Sequence, residues 1–132
     1  MGNDNIGVVK QIYEAFDRGD VPLILSLQTE DTVWDHSGPE GNPLNQVYKG
    51  HDGVREFFRI LGELQEPVEF EPKEYFASGD RVVALGSFRF RVHSTGKEWA
   101  SDWAMAYTLR DGLVAHWRPI FDLTAEAAAL QP

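Results

Sequence analysis

The chain has 132 residues, enough for one domain with a hydrophobic core, and its apolar content of 42% and charged content of 25% are ordinary for a globular protein. It contains no cysteine, which excludes disulfides, thiolate catalysis, cysteine-ligated zinc and iron–sulfur clusters. Its net charge of −9, without a basic cluster, argues against binding to nucleic acid or to an anionic membrane.

The sequence also lacks the signals of membrane insertion or export. No apolar run reaches the roughly 20 residues that a membrane-spanning helix needs. The N-terminus, Met-Gly-Asn-Asp-Asn, is polar and has no signal-peptide core. We therefore expect a single domain over residues 1–132, located in the cytoplasm and not bound to a membrane.

Three helices are predicted in the N-terminal half. Apolar residues at three-to-four-residue spacing predict a helix over Asn5–Arg18, and Asp20 is placed to cap a second, short helix. A third apolar stripe follows Asp52, which is a plausible N-cap. The dipeptide Glu66-Pro67 predicts the end of this helix.

Strands dominate the rest of the chain. Thr32–His36 is rich in β-formers and predicts a short strand, whereas Ser37–Gly50 predicts a long loop of the kind that often binds a ligand. Short turns then separate four predicted strands, Val68–Ala77, Arg81–Val92, Glu98–Leu109 and Leu113–Asp122. Helices followed by a meander predict an α+β fold, with the helices on one face of a curved, mostly antiparallel sheet.

The last predicted strand combines large aromatic residues with a carboxylate. The two-residue period places Trp117, Pro119 and Phe121 on one face, and the opposite face carries His116, Arg118, Ile120 and Asp122. A proline removes one ladder donor, so the strand is at an edge, bulged, or ends near that proline. A carboxylate beside bulky apolar groups is costly to bury unless it has a partner or a function.

No pattern in the sequence predicts a metal or an organic cofactor. His51, His93 and His116 lack metal-ligand spacing, and the chain has no His-Glu-x-x-His motif. Gly50-x-x-Gly53 lacks the lysine and the preceding buried strand of a phosphate-binding loop. We expect neither kind of group.

Three stretches resemble the nuclear-transport-factor-2-like superfamily, and more narrowly its SnoaL-like branch of small enzymes. They are Phe16–Asp20, Thr32–Gly38 continued by Tyr48–Phe58, and Trp117–Leu123. The resemblance implies a cone-shaped α+β fold with three N-terminal helices packed on the concave face of the sheet. It also implies a homodimer formed through the open sheet face. It does not fix the reaction, because this fold supports many chemistries as well as proteins that are not enzymes.

Two enzymes of this superfamily suggest site residues. Asp35 resembles the base of ketosteroid isomerase, although Ile12 falls where that enzyme has a tyrosine. Asp122 resembles one carboxylate of limonene epoxide hydrolase, although Gly86 and Phe88 fall near the places of its second carboxylate and its arginine. The polyketide cyclases of the SnoaL-like branch need a single acid–base residue, and this simpler requirement fits best.

Adjacent residues of a strand face opposite ways, so only one of Asp35 and His36 points straight into a cavity unless a bulge or the strand end admits both. If His36 faces inward, its pKa near neutral suits acid–base work. If Asp35 faces inward, that carboxylate is the base. Asp122 needs a raised pKa to act near neutral pH, or else it pairs with Arg118 or caps the segment Thr124–Leu130.

The aromatic content of the predicted interior suits a flat or cyclic apolar ligand. We expect a cofactor-independent enzyme of isomerase, cyclase or hydrolase type, with Asp35, His36 and Asp122 as its acid–base groups. The alternative is a non-catalytic ligand-binding or dimerisation domain that keeps the pocket. The residues predicted to bind the small apolar metabolite are Tyr13, Trp34, Phe57, Trp103, Met105, Trp117 and Phe121.

Overall fold

The computed structural model describes residues 4–132, so part of the N-terminal stretch used above to argue against a signal peptide, Met1–Asn3, lies outside the described residues. Four helices are present in the described part: α1 (Asn5–Arg18), α2 (Val21–Ser26), α3 (Gly50–Leu64) and α4 (Leu123–Leu130). The strands are β1 (Gln28–His36), β2 (Gln46–Lys49), β3 (Gln65–Ser78), β4 (Arg81–Val92), β5 (Glu98–Arg110) and β6 (Leu113–Phe121).

The six strands form one curved, open sheet in the order β2-β1-β6-β5-β4-β3. All neighbours are antiparallel except β1 and β6, which run parallel. The first three helices cover the concave face, and α4 packs against β5. The α+β class is therefore confirmed, with one helix more than the three predicted. Between residues 4 and 132, no helix is both long enough and apolar enough to cross a membrane.

The first two helices begin and end where their sequence signals place them. The Asp4 carboxylate accepts a hydrogen bond from the Gly7 N–H, and Asp20 caps α2 by accepting one from the Leu23 N–H. Gly19 adopts a left-handed φ of 69°, which a residue without a Cβ tolerates at a helix C-terminus. The predicted span of the first helix, residues 5–18, is correct.

The differences lie at element ends. The first strand begins at Gln28 rather than Thr32, and the short strand β2 occupies the end of the predicted loop. The third helix begins at Gly50, two residues before Asp52 and therefore not capped by it. Pro67 lies inside β3 and does not mark the helix end, because β3 is an edge strand where one missing ladder donor is tolerated.

Strand β6 accommodates Pro119 in a related way. It lies between β1 and β5, but its last paired residue on the β1 side is Trp117. Pro119 lies beyond that point and pairs only with Met105 of β5. Locally, therefore, Pro119 occupies an edge, as one of the sequence alternatives required. Ile120 on the opposite face is 57% exposed, as the two-residue period predicts.

Candidate functional site

An interior cavity lies between the helices and the concave face of the sheet, and it is divided into two chambers. The first, which we call the tyrosine chamber, has a volume of about 70 Å³. Its walls are almost entirely apolar side chains from α1, α2, α3 and the sheet, namely Ile12, Tyr13, Phe16, Ile24, Trp34, Phe57, Phe58, Phe70, Phe88, Phe90, Met105, Tyr107 and Trp117.

The second, which we call the histidine chamber, has a volume of about 50 Å³ and reaches towards α4. Its surface is almost entirely apolar, although polar residues stand among those that line it, and its lining comprises His36, Leu44, Leu61, Gln65, Phe88, Phe90, Trp99, Met105, Trp117, Pro119, Phe121 and Glu126. Four side chains line both chambers and therefore lie between them: Phe88, Phe90, Met105 and Trp117.

The polar groups of the tyrosine chamber bind one another. The Tyr107 hydroxyl donates to the Tyr13 hydroxyl at 2.9 Å, and the Tyr13 hydroxyl donates to the Met105 sulfur at 3.4 Å. Burial raises the pKa of both tyrosines above the ordinary value of a phenol, so both remain neutral at physiological pH. This chamber therefore offers mainly shape and apolar contact.

His36 is the side chain that turns inward at the end of β1. Alternation along the strand buries Trp34 and His36 and leaves Asp35 on the outer side, which decides the alternative that the sequence left open. The His36 side chain is only 5% exposed, and its ring lies 5.4 Å from Phe57 and 5.6 Å from Phe121, measured between ring centroids. Its Nδ1 is buried and makes no hydrogen bond of full geometry among the described residues, although the Asn45 side chain, whose Oδ1 is likewise unpaired, lies close enough to raise its pKa.

The surroundings of His36 keep its imidazole neutral. Loss of solvent lowers the pKa of His36 to about 4, and the backbone of His36, Asn45 and Asp35 oppose this only in part. A neutral imidazole has one nitrogen with a free lone pair, whichever tautomer it adopts. His36 can therefore accept a proton from a molecule in the histidine chamber at neutral pH.

Glu126 of α4 is a buried carboxyl in the same chamber. It is 1% exposed, and its Oε2 accepts a hydrogen bond of 2.9 Å from the Gln65 amide. The Gln65 carbonyl oxygen in turn accepts a bond of 2.8 Å from the Trp99 indole N–H. Burial raises the pKa of Glu126, and the hydrogen bonds from Gln65 and Asn42 oppose that shift.

Asp35 lies outside the cavity. Its side chain is 24% exposed and forms an ion pair of 3.3 Å with Arg118 on the outer face of the sheet. The Ser37 hydroxyl donates to its carboxylate, and this bond, with help from the Ser37 N–H and Arg118, holds the pKa of Asp35 below its usual range. The expectation that Asp35 opens into the pocket is corrected, because the strand period turns it outward.

Asp122 also lies outside the cavity, and its predicted place near the pocket is corrected. Its exposed carboxylate accepts hydrogen bonds from the N–H groups of Thr124 and Ala125, at 3.0 Å and 3.1 Å. It is the N-cap of α4, the third of the roles that the sequence left open for it. Of the three predicted acid–base residues, the structure therefore places His36 alone in the cavity.

The residues predicted to bind substrate surround the cavity with one exception. Trp103 lines neither chamber; its ring stacks on Phe70 at 5.4 Å and supports the tyrosine chamber through Tyr13 at 5.6 Å. Phe121 lines the histidine chamber. The other five line the tyrosine chamber: Tyr13, Trp34, Phe57, Met105 and Trp117. Their role in binding stays a prediction.

Gln65 and Glu126 were missed by sequence reasoning. Gln65 follows the last helical residue of α3, at a position predicted to lie inside a helix end. Glu126 interrupts an otherwise apolar run, Leu123–Leu130, behind the strong N-cap Asp122. A single carboxylate inside such a run is the signal that could have identified it. Within residues 4–132, no group of three or more histidine, aspartate or glutamate side chains is placed to hold a metal ion.

Comparisons with known proteins agree with this architecture. The SnoaL-like domain family matches residues 9–117. The structure of a nuclear-transport-factor-2-like protein from Burkholderia xenovorans LB400 has 32% sequence identity and a TM-score of 0.87, over 99% of each chain. No functionally curated protein matches the chain significantly.

Two further solved structures are similar. TerC, crystallised with polyporic acid, has 28% identity and a TM-score of 0.81, over 97% of this chain and 98% of TerC. A protein from Xanthomonas campestris pv. campestris, provisionally named a polyketide cyclase, has 21% identity and a TM-score of 0.78, over 96% of each chain. At that identity, the second likeness shows the fold alone.

Proposed function

Because this chain belongs to the SnoaL-like domain family, we propose that it is a cofactor-independent acid–base enzyme acting on a small, mostly apolar molecule held in the interior cavity. The observation that carries the proposal is His36, a buried imidazole with an unpartnered Nδ1 at the wall of an aromatic chamber. A buried polar atom without a partner costs free energy, which a bound molecule can recover.

The chemistry proposed is proton transfer. Neutral His36 takes a proton from the substrate and returns it at a second position, which amounts to isomerisation. In a cyclisation the carbanion instead attacks a second carbonyl carbon of the same molecule, the π pair of that carbonyl moves to oxygen, and the oxygen takes the proton from the imidazolium. The apolar lining excludes water from the reacting atoms.

The size of the cavity favours a small or flat substrate. The chambers of about 70 Å³ and 50 Å³ lie on either side of Met105, whose unbranched side chain repacks easily. We propose that the substrate displaces the Met105 side chain and occupies both chambers. That TerC was crystallised with polyporic acid supports a small organic ligand for this chain.

The test is a turnover screen of epoxides, enones and polyketide-like ketones with the wild-type protein and His36→Asn. The matched control is His93→Asn, since His93 is an exposed histidine outside both chambers, with its ring Nε2 3.1 Å from the Gly62 carbonyl oxygen. We expect a product with the wild type and the control and none with His36→Asn. Equal turnover in all three proteins would contradict the proposal.

A second candidate function is ligand binding without turnover. It is favoured by the tyrosine chamber, whose hydroxyls are already engaged with one another, and by the outward placement of Asp35 and Asp122. A binding protein would show saturable binding of aromatic ligands that Trp117→Ala weakens, with no product at any pH. An enzyme would show turnover that depends on pH and on His36.

We also propose that two copies of the chain associate through the outer sheet face. Phe76 is 55% exposed and Ile120 is 57% exposed, and Val83, the cross-strand partner of Phe76, is exposed beside it. Exposed apolar groups on adjacent strands suit an isologous interface. Light scattering after size exclusion should give about twice the 14.9 kDa chain mass, and Ile120→Glu should reduce it. A wild-type monomer at high concentration would contradict the dimer.

A further inference from the structure

We infer that molecules enter the interior through an aromatic gate in the wall of the tyrosine chamber, formed by Phe16, Phe58 and Phe70, and that Phe16 is its moving part. The Phe16 side chain therefore determines which apolar molecules reach the cavity. This inference rests on the proposed function in one respect, that a molecule enters the cavity, and it does not depend on the chemistry of His36.

The aromatic gate is the part of the chamber wall that meets solvent. Phe16, Phe58 and Phe70 are half-buried, whereas every other residue that lines the tyrosine chamber between positions 4 and 132 is buried. A side chain that lines a cavity on one side and meets solvent on the other has no further layer of protein outside it. The wall is therefore thinnest at these three rings.

A surface pocket, which we call the outer pocket, lies directly outside this part of the wall. It has a volume of about 170 Å³ and is lined by Phe16, Asp17, Pro67, Val68, Glu69 and Phe70, from the end of α1 and the first half of β3. Phe16 and Phe70 line both the outer pocket and the tyrosine chamber. Their rings meet edge to face with centroids 4.9 Å apart, and they separate the two spaces.

Two of the three gate rings are held in place by the core. Phe70 stacks on Trp103 at 5.4 Å and meets the edge of Tyr13 at 5.3 Å, measured between ring centroids. Phe58 packs edge to face against Trp34 at 5.6 Å. Both partners of Phe70 and the partner of Phe58 are buried, so these two rings form the fixed sides of the gate.

Phe16 lacks such support. In the described part of the chain, its aromatic neighbours are the other two gate rings, Phe70 at 4.9 Å and Phe58 at 6.3 Å. The backbone around it is fixed, because the Phe16 carbonyl oxygen accepts the Gly19 N–H at 3.0 Å. A change of rotamer can therefore move the ring alone, on the fast timescale of partly exposed side chains, and the outer pocket has room to receive it.

The opposite end of the cavity supplies a matched comparison. Phe121 lines the histidine chamber and is half-buried, as Phe16 is. Its ring, however, packs against those of His36, Phe88 and Trp99, at centroid distances of 5.6, 5.6 and 5.7 Å. All three of these neighbours are buried. We therefore expect this end of the cavity to stay closed while the gate at Phe16 opens.

The test follows fluorobenzene by fluorine-19 exchange NMR in the wild type, Phe16→Leu, Phe16→Trp and Phe121→Leu. An apolar cavity can bind a single apolar ring of this kind. We expect Phe16→Leu to raise the association rate about three- to tenfold, because it removes the edge-to-face contact that keeps the gate closed. Phe16→Trp should lower the rate, since a larger ring fills the gate. Phe121→Leu should leave it within about twofold, as expected for an independent site.

The outcomes separate the aromatic gate from the proposed function. An unchanged rate in Phe16→Leu would overturn the gate. So would faster association in both Phe16 variants, which is the result of general loosening, or an equal acceleration by Phe121→Leu, which places the entrance at the histidine chamber. In each of these cases fluorobenzene still binds, and the cavity remains a ligand site. If fluorobenzene binds none of the four proteins, the gate and the ligand-binding cavity both fail.

Discussion

The two chambers share four lining side chains but differ in how their polar groups are partnered. In the tyrosine chamber, Tyr107 donates to Tyr13 and Tyr13 donates to Met105, so the hydroxyls are satisfied within the protein. In the histidine chamber, His36 keeps a buried nitrogen without a partner, and Glu126 is surrounded by donors. The first arrangement stabilises a shape, and the second leaves hydrogen-bonding capacity for a guest.

The difference teaches that burial alone does not mark a reactive site. Trp34 is as buried as His36, yet its indole N–H donates to Gln28 at 2.9 Å. A satisfied buried group contributes to stability, whereas an unsatisfied one is destabilising unless a ligand completes it. The contrast between the chambers can therefore be tested by changing one polar group in each.

The largest expected effect is on turnover. We expect His36→Asn to lower kcat/KM at least about a hundredfold, the usual contribution of a general base. Tyr13→Phe removes a satisfied hydroxyl from the other chamber and should lower it less than about tenfold, the worth of one hydrogen bond. Steady-state kinetics on the best substrate of the screen measures both, and similar losses would remove the distinction between the chambers.

The next largest effect is expected from substitution of Met105, on the free energy of unfolding and on the size of ligand that the cavity holds. Met105→Ala joins the two chambers and leaves a cavity, so the free energy of unfolding should fall by about 2–5 kcal/mol. Met105→Leu keeps most of the volume but removes the sulfur that accepts the Tyr13 hydroxyl, so it should cost less than Met105→Ala, about 1–2 kcal/mol. Urea unfolding measures these changes. Binding of aromatic ligands larger than those held by the wild type should improve only in Met105→Ala, and no change in ligand size would show that Met105 does not divide the cavity.

A third expected effect is on how the free energy of unfolding changes with pH. The pKa of His36 is about 4 in the folded chain and about 6.5 when unfolded. The unfolded state therefore binds the extra proton first, and stability is lost as pH falls from 6.5 through 4, by up to about 3 kcal/mol. His36→Asn should remove this loss between pH 7 and pH 4 in urea unfolding. An identical pH dependence in wild type and variant would contradict a neutral His36.

The smallest expected effect on the free energy of unfolding comes from substitution of Asp122, which lies outside both chambers. Asp122→Ala removes the N-cap of α4 and should lower the free energy of unfolding by about 1 kcal/mol, while Asp122→Asn should cost only a few tenths. Neither change should affect kcat when turnover is measured well below the unfolding temperature. A loss of kcat in Asp122→Asn at unchanged stability would restore Asp122 as an acid–base residue.

Much of the fold could be predicted from the spacing of apolar residues along the sequence. The helix Asn5–Arg18 and the alternation in β6 are both local patterns, and both are correct. The first strand begins earlier than predicted because Gln28 and Thr32 look polar in sequence. In the fold, the side-chain carbonyl oxygen of Gln28 accepts the Thr32 hydroxyl at 3.0 Å and the Trp34 indole N–H at 2.9 Å, so these polar atoms are paired although buried. Local composition does not show such a tertiary pairing.

The site was less predictable because it depends on contacts between distant elements. The two-residue period already placed Asp122 with Arg118 and Ile120 and away from Trp117, and the period was a better guide than the resemblance. Glu126 enters the cavity only because α4 folds back against β5, bringing it to Gln65, 61 residues earlier. The spacing of residues in the sequence does not predict that α4 packs back against β5.

The central claim is that His36 is a neutral imidazole that meets the ligand. Long-range proton–nitrogen NMR of the His36 ring, recorded from pH 8 to pH 5 and then with cyclohexanone added, tests it directly. We expect nitrogen shifts of a neutral ring throughout this range, since the pKa is about 4, and a further change when the ketone binds. A ring that titrates near pH 6.5 and does not respond to the ketone would contradict the claim.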